Sequence, residues 1–136
     1  LIPPHQDNAY YGLENGSALT FYIPLNSQNP SDGGLRYLKN CVNKQFDHDL
    51  SSEKGFSLTI KSKDDIKLLE KIDPVYEPGY CSIHHSRSVH YAEKVPPKID
   101  RGLVLRMSFF AINSKQKIKH REWYEKIVNK NRLQNI

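Results

Sequence analysis

The sequence has few cysteines and no long apolar run, and both absences restrict the kind of protein it can be. Cys41 and Cys81 are the only two cysteines, whereas small secreted domains that depend on disulfides have many more. No stretch of about 18 apolar residues is present, so no segment resembles a transmembrane helix. The first residues also lack the pattern of a secretory signal peptide. We therefore expect two reduced thiols in a cytoplasmic protein.

The size and composition indicate a single domain with one hydrophobic core over residues 1–136. The chain is 38% hydrophobic, and its 8 tyrosines and 5 phenylalanines each bury a large area. The sequence reaches His5 directly after Leu-Ile-Pro-Pro. Because functional sites usually lie deep within a scaffold, we expect the first elements of the domain to precede Leu1 and to be missing from this sequence.

Positive charge is concentrated towards the C-terminal end. The net charge is +5, and residues 115–136 carry seven lysines and arginines against two glutamates. Such a basic segment is one feature of nucleic-acid-binding proteins, but its two aromatic residues, Trp123 and Tyr124, are adjacent instead of spaced among the charges as stacking on single strands requires. We interpret the segment as a solvated helix face and expect a small-molecule partner rather than a nucleic acid. Nothing in the sequence predicts the oligomeric state.

Short segments rich in β-branched and aromatic residues alternate with turn residues, which predicts an all-β core. The predicted strands are 18–25, 35–38, 56–60, 80–85, 87–91 and 102–112. Turn residues at 26–34 predict that the first two strands form a hairpin with a long loop, and 39–55 and 93–101 are predicted loops. Residues 63–72 are typical of a short helix or a charged turn, and 119–133 of a terminal helix. Strands separated by turns favour a β-sandwich or jelly roll over a parallel sheet.

The triplet His5-Gln6-Asp7 is a candidate metal-binding motif. In an extended strand, residues i and i+2 point to the same face, so this segment can present an imidazole and a carboxylate to one point. With a third ligand from a distant histidine, these donors suit divalent iron and leave one face of the metal open. Alone, the triplet is a weak signal, because such pairs are also common on protein surfaces.

The third ligand can be His84, His85 or His90, and the residues alone do not decide between them. His84 and His85 point to opposite faces of an extended segment, so at most one of them faces the site. A turn at residues 86–88 would reset the alternation before His90. We expect one non-ligating histidine of this cluster to be buried and bonded to the backbone, close to the metal ligands.

Arg101 is a candidate for binding an anionic ligand. It precedes the most apolar predicted strand, where a charged side chain is costly without an anionic partner. A guanidinium matches a carboxylate through two parallel hydrogen bonds, so Arg101 would hold an organic acid bound at the metal. The alternative is an exposed arginine that pairs with Asp100.

Four motifs, in this order, resemble the phytanoyl-CoA dioxygenase family. They are His-Gln-Asp-Asn-Ala-Tyr-Tyr at 5–11, Leu-Thr-Phe-Tyr-Ile-Pro-Leu at 19–25, Asp-Gly-Gly-Leu-Arg-Tyr at 32–37 and Gly-x-x-x-x-His-His-x-x-x-x-His at 79–90. Enzymes of this type are non-haem iron(II), 2-oxoglutarate-dependent oxygenases with a double-stranded β-helix core. The resemblance covers residues 3–112 and includes the gap from the last histidine to Arg101.

The resemblance implies a fold and a set of site residues. The expected fold is the C-terminal part of a double-stranded β-helix, a cupin-like jelly roll, followed by a helical extension over 113–136. The implied iron(II) ligands are His5, Asp7 and His90. Arg101 would bind the far carboxylate of 2-oxoglutarate, and Tyr22 would line the co-substrate pocket. The residues beside the metal that are candidates for substrate contact are Gln6, Asn8, Tyr10 and Tyr11.

The implied activity is hydroxylation of a small organic substrate by O₂, with release of succinate and CO₂ from 2-oxoglutarate. The presence of Asp7 argues against halogenation, which needs an empty ligand position for chloride. The chain departs from the family pattern at residues 38–41, at Tyr80 and after His90. These departures spare the metal ligands but leave the substrate undefined. A catalytically silent β-helix domain that binds a ligand or partner is the alternative function.

Overall fold

The computed structural model describes residues 1–53, 55, 58–94 and 102–134. Within these ranges the chain is mainly antiparallel β-structure with a helix towards its C-terminal end. No helix in these ranges is both long and apolar enough to cross a membrane. In chain order the strands and helices are β1 (Ile2–His5), α1 (Asn8–Tyr11), β2 (Ala18–Pro24), β3 (Arg36–Leu38), β4 (His48–Leu50), β5 (Leu58–Ile60), β6 (Lys71–Ile72), β7 (Ser82–His85), β8 (His90–Ala92), β9 (Val104–Phe110) and α2 (Ile118–Gln134).

The described strands form two larger sheets and one separate pair. The four-stranded sheet has the order β1-β8-β3-β6, the three-stranded sheet has the order β7-β2-β9, and β4 pairs with β5. The first three strands along the chain alternate between the two larger sheets. Antiparallel strands that cross between two sheets in this way agree with the predicted sandwich or jelly roll.

Two apolar clusters form the core. One includes the end of β3 and residues of the segments that follow it, and comprises Leu38, Cys41, Phe46, Ile60, Ile66 and Val89. The other is largely aromatic and comprises Tyr22, Leu35, Tyr37, Tyr76 and Ala92. Both cysteines are free, and the buried Cys41 thiol donates a hydrogen bond to the Leu38 carbonyl at 3.0 Å.

Most predicted strands are present with shorter bounds, but the predicted hairpin of β2 and β3 is wrong. β2 pairs with β7 and β9, whereas β3 pairs with β6 and β8. The reason lies in β3, where Tyr37 packs into one core cluster and its neighbour Leu38 into the other. β3 therefore packs on both of its faces, and it lies between β6 and β8 within the four-stranded sheet instead of beside β2.

The segment 39–55 differs from its prediction as a loop, because it contains β4. The predicted short helix or charged turn at 63–72 is confirmed by a 3₁₀ turn (Lys63–Asp65), and the short β6 follows it. The terminal helix prediction is confirmed, since α2 spans Ile118–Gln134.

The three-stranded sheet has an apolar outer face and a polar inner face. Leu19, Leu105 and Phe109 are 45%, 48% and 55% exposed. On the opposite face of β9, Ser108 bonds to Thr20 and Arg106 bonds to a buried carboxylate. Polar groups therefore point between the sheets, where a purely structural sandwich would have apolar side chains.

Gly12 is the C-cap of α1 and lies against His120 near the start of α2. Its φ is +62°, and a Cβ built there would lie 2.0 Å from the His120 ring. We predict that Gly12→Ala lowers the free energy of unfolding by about 3 kcal/mol, from left-handed strain and a forced ring displacement. Gly79→Ala is the matched control, because Gly79 has φ +95° but open space around a Cβ. It should cost only about 1 kcal/mol. Equal losses in chemical denaturation would contradict the predicted contact with α2.

Candidate metal centre

His5 and His90 face each other across two neighbouring strands. His5 ends β1, His90 begins β8, and the two are paired in the register of the sheet. Each ring Nδ1 bonds to a backbone carbonyl two residues earlier, His5 to Pro3 at 2.8 Å and His90 to Ser88 at 3.1 Å. Because a carbonyl can only accept, each Nδ1 carries the proton and each Nε2 retains a lone pair. Both imidazoles therefore present a potential ligand atom to the interior.

Asp7 reaches the same point through a turn. Its backbone is helical (φ −56°, ψ −32°), and it is the N-cap of α1. The expectation that strand alternation aligns His5 with Asp7 is therefore wrong, because the strand ends at His5. Asp7 Oδ1 lies 3.8 Å from Nε2 of both His5 and His90. The three ligand atoms lie within 4.8 Å of one another, and all three side chains are buried.

The opposite sheet supplies further partners to the Asp7 carboxylate. Thr20 Oγ1 of β2 donates to Oδ2 at 2.8 Å, and His84 Nε2 of β7 lies 3.4 Å from the same oxygen. Arg106 Nη2 of β9 donates to Oδ1 at 2.7 Å. Thr20 is the register partner of His84 on one side and of Ser108 on the other. A row of polar residues across the three-stranded sheet thus lies under the carboxylate.

These surroundings keep the carboxylate ionised and the imidazoles neutral. Burial raises the pKa of Asp7, but the hydrogen bonds from His84 and Thr20 and the positive charge of Arg106 outweigh it and hold that pKa well below its usual value. Burial lowers the pKa of His5 and lowers that of His90 still further below the ordinary histidine value. The group therefore combines one anionic oxygen donor with two neutral nitrogen donors.

His84 has the opposite tautomer from His5 and His90. A carboxylate only accepts, so His84 Nε2 donates to Asp7, and Nδ1 is left to accept from the Tyr37 hydroxyl at 3.2 Å. His84 therefore has no lone pair directed at the ligand group. His85 points to the other face of β7, as alternation predicts, and is only partly buried. Of the expected non-ligating histidines, His84 is the buried one, and its partners are side chains instead of backbone.

Gln6 and Asn8 are buried on either side of Asp7 and turn away from the ligand atoms. The Gln6 amide donates to the Lys44 and Arg87 carbonyls at 2.8 and 2.6 Å and accepts from Phe46 N–H at 2.9 Å. The Asn8 side-chain amide donates through Nδ2 to the Leu13 carbonyl and accepts through Oδ1 from the Leu13 N–H. The structure therefore uses both amides to fix neighbouring loops, and their predicted contact with substrate stays a prediction.

Tyr10 and Tyr11 do lie beside the ligand group. They line a cavity of about 250 Å³ together with His5, Asp7, Gly55 and Arg106. Tyr11 Oη bonds to Ser108 at 2.9 Å and accepts from Arg106 at 3.1 Å. This cavity gives the ligand atoms an opening towards solvent.

Tyr22 and Arg101 are the two remaining predicted site residues. Tyr22 packs against Tyr76 in the aromatic core cluster, and its hydroxyl donates to Gln28 at 2.7 Å. Arg101 lies outside the described residues. The predicted roles of both residues stay predictions.

Thr20 and Arg106 are partners of Asp7 that the sequence did not single out, whereas His84 was among the candidates for the third ligand. A weak signal was present for Arg106, because it is the one charged residue of the β9 segment Val-Leu-Arg-Met-Ser-Phe-Phe. A charged residue in an apolar strand usually faces solvent, so sequence alone gives no reason to place it at a buried carboxylate.

Comparisons with known proteins show the fold. No family model and no curated protein matches the sequence. Among solved structures, the chain is similar to ThoJ, a non-heme monooxygenase in its apo form, with a TM-score of 0.64, 19% identity and 85% of this chain covered. It is also similar to the epimerase SnoN in complex with Fe³⁺, alpha ketoglutarate and nogalamycin RO, with a TM-score of 0.63, 18% identity and 85% coverage.

The chain spans 42% and 44% of the length of these two proteins. At this identity the similarity establishes a shared fold. No family model matches the sequence, so the resemblance to the phytanoyl-CoA dioxygenase family stays a prediction.

His48 provides a pH test of the site's surroundings. Burial lowers the pKa of His48 to about 4 from 6.5. Its Nδ1 donates to the Phe46 carbonyl, so Nε2 accepts the Gln6 N–H at 3.1 Å and cannot do so once protonated. Above pH 6.5 this group contributes no pH dependence; between pH 6.5 and 4 the unfolded chain binds more protons, and folding stability falls as pH falls. The loss is at most about 3 kcal/mol.

We expect His48→Gln to reduce the slope of the free energy of unfolding against pH between pH 6.5 and 4, measured by urea denaturation. His85→Gln is the control, because burial lowers the pKa of His85 less than it lowers that of His48. A slope that His48→Gln leaves unchanged would contradict the buried neutral state of His48.

Proposed function

We propose that this chain carries the metal centre of an Fe(II)- and 2-oxoglutarate-dependent oxygenase that hydroxylates a small organic substrate and releases succinate and CO₂. The convergence of His5, Asp7 and His90 is the observation that carries the proposal. We further propose that the two larger sheets belong to a double-stranded β-helix. The fold shared with ThoJ and SnoN supports both statements.

The donor set suits iron(II) in composition and protonation. Two imidazoles and one carboxylate form the ligand type found in non-haem iron(II) oxygenases, with remaining positions free for other ligands. Both histidines are neutral with the lone pair on Nε2, and Asp7 is ionised, so no proton has to leave before a metal binds. The backbone bonds from Nδ1 of His5 and His90 fix the orientation of both rings.

Iron with bound 2-oxoglutarate supplies the oxidising chemistry, in which O₂ converts the oxo acid into succinate and CO₂ and oxidises a substrate C–H bond. The chain's own residues orient and enclose these reactants. Thr20 and His84 hold Asp7 Oδ2 and direct Oδ1 towards the imidazoles. Tyr10 and Tyr11 form the wall on which a substrate would lie. Arg101 is proposed to bind the far carboxylate of 2-oxoglutarate, with Tyr22 near that pocket.

The reaction outcome distinguishes hydroxylation from related oxidations. Of the similar solved structures, ThoJ is a monooxygenase and SnoN an epimerase. Hydroxylation adds one oxygen atom to the product, whereas epimerisation leaves its composition unchanged. Mass spectrometry of the product under ¹⁸O₂ separates these outcomes once a substrate is known.

We predict that Asp7→Ala and His90→Ala each weaken Mn(II) or Fe(II) binding by more than about 100-fold and abolish succinate formation from 2-oxoglutarate. Loss of a residue that supports a ligand lowers metal affinity by about 10- to 100-fold, and loss of the ligand itself should lower it further. Metal content by mass spectrometry and succinate by chromatography measure these effects. His85→Ala is the matched control, since it removes a nearby imidazole that faces away from the site, and it should leave both measurements unchanged.

Full succinate formation by Asp7→Ala would refute the oxygenase assignment. Wild-type protein without stoichiometric iron, manganese or nickel binding would instead favour a catalytically silent domain that binds a ligand or partner.

A further inference from the structure

The two oxygens of Asp7 have different surroundings. Oδ2 is fixed by Thr20 and His84, at 2.8 and 3.4 Å. Oδ1 is the oxygen that faces both His5 and His90, each with its Nε2 at 3.8 Å. Oδ1 is therefore the atom that the proposed metal would bind.

Arg106 already occupies a position on this same atom. Its Nη2 lies 2.7 Å from Oδ1 and 3.1 Å from the Tyr11 hydroxyl. A guanidinium and a divalent cation on one carboxylate oxygen repel each other, and such like-charge contacts are costly in a buried setting. Binding of the metal to Oδ1 therefore competes with Arg106.

The arginine is able to leave Oδ1. It extends from β9, an edge strand of its sheet, and its side chain is 52% exposed, whereas that of Asp7 is 2% exposed. The carboxylate is fixed on its other oxygen, so the guanidinium is the mobile partner. Arg106 also lines the cavity of about 250 Å³ that Tyr10 and Tyr11 line, so this cavity offers space beside Asp7 for the displaced guanidinium.

The charge balance then identifies what Arg106 would bind next. Asp7 and Arg106 together are neutral, and a divalent metal raises the local charge to +2 while it removes the anionic partner of Arg106. Among the described residues that line this cavity, Asp7 is the acidic one. The released guanidinium therefore requires an anion from solution, and its planar pair of donors matches a carboxylate.

We propose that Arg106 is an internal counter-cation of Asp7 that the metal displaces, and that the displaced guanidinium then binds the carboxylate of an organic acid in the same cavity. The inference rests on the proposed function, since it requires a metal at His5, Asp7 and His90. Displacement by the metal is proposed for Arg106 alone and is no part of the role proposed for Arg101. It also makes metal binding and carboxylate binding mutually reinforcing, as thermodynamic linkage requires.

Mn(II) titration followed by electron paramagnetic resonance tests the competition without any turnover. We expect Arg106→Gln to bind Mn(II) about tenfold more tightly than the wild type, because the competing charge is gone. Arg121→Gln is the matched control, since Arg121 pairs with Glu125 on exposed α2, and its affinity should equal that of the wild type. Equal or weaker Mn(II) binding by folded Arg106→Gln would overturn the proposal. If neither wild type nor Arg106→Gln binds Mn(II), the proposed function itself fails.

Succinate tests the carboxylate half, because it has no 2-oxo group with which to chelate a metal. We expect saturating succinate to strengthen Mn(II) binding to the wild type at least about fivefold, and neutral succinamide to have no effect. The succinate effect should disappear in Arg106→Gln. Its absence from the wild type would overturn the proposal even if the variant did not fold, and its persistence in folded Arg106→Gln would do the same.

A parallel titration with 2-oxoglutarate identifies the source of the carboxylate. If Arg106→Gln reduces the 2-oxoglutarate effect as much as the succinate effect, the carboxylate belongs to the co-substrate. If only the succinate effect is lost, Arg106 receives a second acid, which is that of the substrate. Both results support the proposal that the metal displaces Arg106 from Asp7 and that Arg106 then binds a carboxylate.

Discussion

The buried carboxylate of Asp7 is the constraint on which the site and the packing of the two sheets depend. An ionised carboxylate in the interior is stable only if it is surrounded by donors and opposite charge. Its partners come from both sides of the sandwich: His5 and His90 from the four-stranded sheet, and Thr20, His84 and Arg106 from the three-stranded sheet. The surroundings of Asp7 are therefore complete only when the two sheets pack against each other.

The polar interior also decides which histidines can bind a metal. A chain of hydrogen bonds runs from Tyr76 Oη to Ser82 Oγ at 3.1 Å, from Ser82 to Tyr37 Oη at 2.6 Å, and on to His84 Nδ1 at 3.2 Å. Because Nδ1 of His84 accepts, its proton is on Nε2 and is donated to Asp7. In His90 the backbone fixes the opposite tautomer. Two neighbouring histidines of the same type thus have different roles, set by partners distant in sequence.

This dependence on distant partners explains what the sequence could and could not predict. The motif and its resemblance led to His5, Asp7 and His90, and alternation correctly separated His84 from His85. The pairing of His5 with His90 depends on strand register over 85 residues of chain, which local pattern does not specify. The turn at Asp7 was missed because the triplet is also compatible with an extended strand.

The residue between the two N-terminal ligands shows that the motif is structural as well as chemical. Gln6 is completely buried and its amide both donates and accepts, towards the loop at 44–46 and the carbonyl of Arg87. A glutamate would place a carboxylate against two carbonyl oxygens, and an alanine would leave all these groups without partners. Gln6 thereby connects the end of β1 to the turn before β8, next to the register pair of His5 and His90. The middle residue of the motif therefore anchors the backbone on which both imidazoles are held.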